Sequence, residues 1–187
     1  MADTGWLLFT NSIETSRSGA DGDWSGASNI LYDNSNHATS FNFGKNDYSD
    51  WLKVTEISGI SIPIDSTIDG IELKLEDCRA EISNTFSESS IQLVLNGSES
   101  GDDKASSTDW STSYIDKTYG GSSDVWNTSF DRDDIISSTF GFQLSIYCDG
   151  SVASDKGVDI SCAKIKIYYT APATMAQMMN HYKRLRA

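Results

Sequence analysis

The chain has 187 residues, enough for one domain with its own core, and its 38% apolar content excludes a disordered chain. Fourteen Lys and Arg stand against 27 Asp and Glu, a net charge of −13. That balance excludes the basic footprint of a nucleic-acid binder and disfavours docking on an anionic membrane surface.

The chain opens MADTGWLLFT, with no basic region and only a short apolar patch. The expectation is that it carries no secretory signal and that the mature protein starts near Met1. No apolar run reaches the roughly 18 residues of a spanning helix.

From there the apolar residues recur with period two. Trp6 to Phe9 suggests a first strand, Phe41 and Phe43 another, and Leu52 and Val54 a third. Ile60, Ile62 and Ile64 alternate, then Ile71, Leu73 and Leu75, then Ile91, Leu93 and Leu95. Phe140, Phe142, Leu144 and Ile146 follow, and Ile165, Ile167 and Tyr169 close the series. Each run has polar residues on its alternate positions, as an antiparallel strand with one face on a core requires. About eight strands predict an all-β fold, an antiparallel sandwich of the jelly-roll type. The spacers are long and rich in Ser, Asp, Asn and Gly, whose side chains compete for backbone hydrogen bonds and favour turns. In FDRDDIISSTF, Asp131, Asp133 and Asp134 precede Ile135, which predicts one short helical turn.

Thr170-Ala171-Pro172-Ala173 ends the last strand, dividing a sandwich domain (1–170) from a tail (171–187). In the tail, Met175, Met178, Met179, Tyr182 and Leu185 share one face at helical spacing, and Lys183, Arg184 and Arg186 add basic charge. These eight residues are the candidate partner-docking surface, since a Met-rich face adapts to a binding partner. The alternative is that the helix folds back on its own sandwich; a helix this short must bury its stripe somewhere. The tail holds three of the 14 basic residues and no acid, so residues 1–170 carry 11 against all 27 acids, a net of −16.

Chemistry is sparse. His37 and His181 are the two histidines, and no GxSxG elbow, HExxH or phosphate loop occurs, so no catalytic residue and no cofactor is assigned. Cys78, Cys148 and Cys162 form no metal or disulfide pattern and read as buried thiols. No metal is assigned either, although an Asp-rich loop could hold Ca²⁺ weakly. Trp24, Trp110 and Trp126 sit in loop-like settings. They are candidates for stacking on a glycan, or else plugs closing the ends of the sandwich. The stretch TYGGSSDVW (118–126) reads as a shaped turn, with Gly120 and Gly121 supplying positive φ and Asp124 bonding nearby amides.

Several strings in order carry a resemblance. They are ISIPIDSTIDGIELKLE, SIQLVLNGSESGDDKA, TDWSTSYIDKTYGGSSDVW with its following acidic turn, FGFQLSI, and VDISCAKIKIYYT, spanning roughly 52–170. Together they resemble a group of small β-sandwich virion proteins of tailed bacteriophages and prophages. The resemblance implies a non-enzymatic structural protein on the particle exterior, as a head decoration or a neck or tail appendage. It implies other virion proteins as partners, a symmetric homo-oligomer, and synthesis in the host cytoplasm before incorporation in the virion. The alternative is a carbohydrate-binding module, including the part of a phage fibre that binds a host-surface glycan.

Overall fold

The computed structural model describes residues 1–173. The strands are β1 (Ala2–Asp3), β2 (Leu7–Thr15), β3 (Asp23–Ser25), β4 (Ala38–Phe41), β5 (Asp47–Tyr48), β6 (Trp51–Ile57) and β7 (Thr67–Ala80). They continue with β8 (Phe86–Leu95), β9 (Ser98–Ser100), β10 (Ile115–Gly120), β11 (Gly141–Cys148), β12 (Val158–Ile160) and β13 (Cys162–Thr170). A 3-10 turn covers Ala27–Leu31, and one helical turn, α1, covers Arg132–Ile135. The fold is antiparallel β, as the alternation predicts: all thirteen strands join one hydrogen-bonded network, and every named strand pair is antiparallel. No helix among the described residues is long and apolar enough to cross a membrane.

Two strands organise the network. β7 has β13 along one edge and β10 along the other. β11 lies between β6 and β8. β2 connects these halves by changing partner: Leu7 and Leu8 pair with β13, whereas Phe9 onward pairs with β6. The inward residues of both halves meet in one core, in which Leu52, Val54, Leu73, Leu75, Phe142, Leu144, Ile165 and Ile167 are fully buried. Phe9 packs on Phe142 with centroids 5.4 Å apart, and Phe43 packs on Phe86 at 5.2 Å.

The structure corrects the expectations in two places. Five of the thirteen strands have only two or three residues, and none of these has a readable period. Ile60, Ile62 and Ile64 do not form a strand. Ile62 is buried but Ile64 is 73% exposed, because Pro63 lacks an N–H and accepts from the Ser66 amide in a turn. The Ile62 carbonyl is instead held by Arg132 Nε at 2.8 Å.

α1 follows its sequence signal. The Asp131 side chain accepts from the amides of Asp133 and Asp134, and Asp134 returns the bond to the Asp131 amide, a complete capping box.

Candidate functional site

The most concentrated chemistry lies inside the molecule, around Glu88. This side chain is fully buried. One carboxylate oxygen accepts from Trp110 Nε1 at 3.1 Å and Tyr119 Oη at 2.7 Å, and Lys117 Nζ lies 2.9 Å from it. The other oxygen accepts from the Ser106 amide at 2.7 Å. A lone buried carboxylate is costly, and here four donors compensate for its lost water. Burial, reinforced by Glu88, pushes the Tyr119 phenol far above its usual range, so it stays a donor. Burial likewise holds the Cys78 thiol protonated and unreactive. The site ties β8 to β10 and to the long segment before β10, and it offers no surface to a substrate.

The TYGGSSDVW stretch completes the same construction. Gly120 has φ +75°, and a Cβ there would lie 2.2 Å from the Ile71 carbonyl. That carbonyl accepts from the Gly121 amide at 3.0 Å and from Trp126 Nε1 at 3.1 Å. Asp124 accepts from the Trp126 amide at 2.8 Å, and its own carbonyl receives the Ile71 amide. Lys104 Nζ closes the loop on Asp124 at 2.9 Å. The shaped-turn reading agrees with this geometry.

The three tryptophans expected as stacking surfaces for a glycan are therefore inside the protein. Trp24 is 5% exposed, Trp110 2% and Trp126 0%. Each indole N–H is spent within the chain, on the carbonyls of Asp50 and Ile71 and on Glu88. This corrects their candidacy as glycan contacts, since a sugar has no access to a covered ring, and it matches the other reading, that they plug the fold. Trp6, between β1 and β2, is the most exposed of the five, at 37%.

The remaining candidates are placed plainly. The His37 ring stacks on Tyr114 at 5.3 Å in a loop. Carboxylate oxygens of Glu14, Asp23 and Asp50 converge within 4.8 Å of one another, a trio the sequence did not single out. Two already hold backbone amides, Trp24 on Glu14 and Arg17 on Asp50, and the third accepts from Asn42. An open depression of about 220 Å³ lies between Ile64–Ser66 and the start of α1. Another, of about 230 Å³, lies between Leu8–Thr10 and Leu31–Tyr32.

One surface was missed by sequence reasoning although its signal was present. Lys164, Lys166 and Tyr168 alternate with core residues on β13, as Glu72, Lys74 and Glu76 do on β7, so all six project outward. Lys164 bridges Glu76 and Asp33 at 2.7 Å each, and Lys74 bridges Glu76 at 2.9 Å and Asp116 at 2.7 Å. Tyr168 Oη donates to Glu72 at 2.6 Å, a bond that, with burial, pushes its phenol up to about 12. Lys166 Nζ lies 4.4 Å from the Trp6 ring centroid and 5.7 Å from that of Tyr168.

The tail candidates Met175, Met178, Met179, Tyr182, Lys183, Arg184, Leu185 and Arg186 lie outside the described residues. Compared with models of known protein families and with curated proteins, the chain matches none.

Proposed function

We propose that this chain is a structural protein of a tailed-bacteriophage particle, a jelly-roll sandwich on the exterior that serves assembly, stabilisation or attachment rather than catalysis. One observation carries the reading: the residues that bear the phage-protein resemblance are consumed in building the body. Trp126 bonds to Asp124 and to Ile71, the Ile71 amide bonds to Asp124, Gly120 packs against the Ile71 carbonyl, and Trp110 and Tyr119 meet on Glu88. A pattern spent on scaffold suits a family that shares a body rather than an active site. The sandwich description is supported by the way β2 joins two antiparallel halves whose inward faces share one core. In this reading the basic tail docks the acidic body on a capsid or tail subunit, in symmetric copies. Deleting residues 171–187 should leave a cooperatively folding domain that no longer joins particles in an incorporation assay. Full incorporation of the truncated protein would refute the docking role.

A further inference from the structure

We infer that the outward face of the β7–β13 pair, centred on Trp6 and Tyr168, is a binding platform for a neutral carbohydrate. Leu7 pairs with Ile165, so Trp6 stands beside Lys166, which faces Glu72 across the ladder. Tyr168 lies two residues further along the same face, opposite Gly70, where the Gly121–Ser122 backbone lies against the strand and walls that end of the face. The result is an indole and a phenol that share the Lys166 ammonium, beside the wall made by the 121–122 backbone.

A sugar ring has a C–H face edged by hydroxyls that both donate and accept. It therefore needs an aromatic face together with fixed donors and acceptors. Here Lys166 donates, Glu72 and Asp69 accept, and the Tyr168 hydroxyl does both. These groups already hold one another: Tyr168 on Glu72 at 2.6 Å, Thr170 Oγ1 on Asp69 at 2.7 Å, and Lys166 against Glu72 at 3.8 Å. Side chains fixed before binding lose little freedom when a ligand arrives.

Charge selects the class of sugar. Asp3, Asp33, Asp69, Glu72, Glu76 and Asp116 surround Lys74, Lys164 and Lys166. Six carboxylates against three ammonium groups repel an acidic or phosphorylated glycan, whereas a neutral one meets no such penalty. The inference is independent of the virion reading, and its test uses purified chain without particles, so either can fail alone.

The full chain is applied to an array of neutral and anionic oligosaccharides, and retained neutral hexasaccharides are titrated by tryptophan fluorescence and by NMR. Wild type should retain neutral glycans, with little loss at high salt. Trp6→Ala should weaken binding about tenfold, the worth of one aromatic contact. Trp6→Phe should keep part of it, and Tyr168→Phe should weaken it by a smaller factor. Urea midpoints should stay at the wild-type value for the Trp6 variants, since the residue is exposed. The idea is overturned if no neutral glycan is retained, or if binding survives Trp6→Ala. It is equally overturned if the face retains only basic peptides, in a manner abolished by salt.

Discussion

Replacing Glu88 by leucine removes the one side chain on which Trp110, Tyr119 and Lys117 converge. The Trp110 N–H and Tyr119 O–H stay buried with no acceptor, at a cost of about 1–3 kcal/mol each. Lys117 keeps 16% of its side chain exposed and recovers part of its solvation by reaching outward. The leucine adds apolar burial that offsets about 1–2 kcal/mol. These terms sum to about 0–5 kcal/mol, and the stranded Lys117 ammonium and the Ser106 N–H, which also loses its acceptor, raise the expected loss to about 3–5 kcal/mol, the range found when one partner of a buried ion pair is removed. At this chain length that lowers the melting temperature by roughly 6–20 °C. Urea unfolding followed by tryptophan fluorescence measures it, with the m-value held as a check that the unfolded state is unchanged. A second variant separates charge from packing: Glu88→Leu with Lys117→Met removes both charges and should lose less than Glu88→Leu alone. A loss below about 1 kcal/mol for Glu88→Leu, at unchanged m, would show that this network contributes little and that the segment before β10 is held by other contacts.

Gly70→Ala would place a Cβ 2.3 Å from the Gly121 carbonyl oxygen, a backbone atom, and should cost about 2–3 kcal/mol. Gly97→Ala, at φ +82° in open space, should cost only the left-handed penalty of about 1–2 kcal/mol. Equal losses in urea would refute the close seating of the 120–126 loop on β7. The Asp116 carboxyl is held below its usual range, first by its hydrogen bond with Lys74. A depressed carboxyl stabilises the fold above its unfolded value, about 3.9, and that stability disappears as pH falls through the lower folded value. Asp116→Asn should therefore flatten the acid limb of stability against pH, and superimposable acid limbs would contradict the Lys74–Asp116 link.

The long strands were legible because each alternates over enough residues for period two to stand out, as in Ile71, Leu73 and Leu75. Glu88 was not legible, and the reason is local. In β8, Ser145 of the neighbouring strand pairs with Ser90, but Ile146 pairs with Glu88, so Ser89 is an extra residue in a bulge. A bulge reverses which positions face inward. Ile91 and Leu93 point to the core from odd positions, whereas Phe86 and Glu88 do so from even ones. Strict alternation through SESSIQL would have left Glu88 in solvent. Ser89 instead meets Arg17, whose guanidinium also binds Ser145 at 2.6 Å and lies 4.2 Å from the Tyr48 ring. That clasp depends on contacts 72 and 128 residues away along the chain, and no local pattern encodes such a distance.

The same logic explains why tryptophans set in loop-like sequence are buried. Ser, Gly and Asp around a tryptophan signal irregular backbone, and irregular backbone lies mostly at the surface. Irregular segments must also have their polar groups paired, and an indole supplies both an apolar plug and a single N–H donor. Trp24, Trp110 and Trp126 each use that donor to fasten a loop to the strands beneath it. Trp6 has no loop to fasten: it follows Gly5 at the junction of β1 and β2 and lies against Lys166 on an open sheet face. Lysines also lie over the buried rings of Trp110 and Trp126, so what sets Trp6 apart is its place on the outward sheet face, not its charged neighbour. Trp110, Tyr119, Gly120, Asp124 and Trp126 are by contrast occupied in holding the fold together.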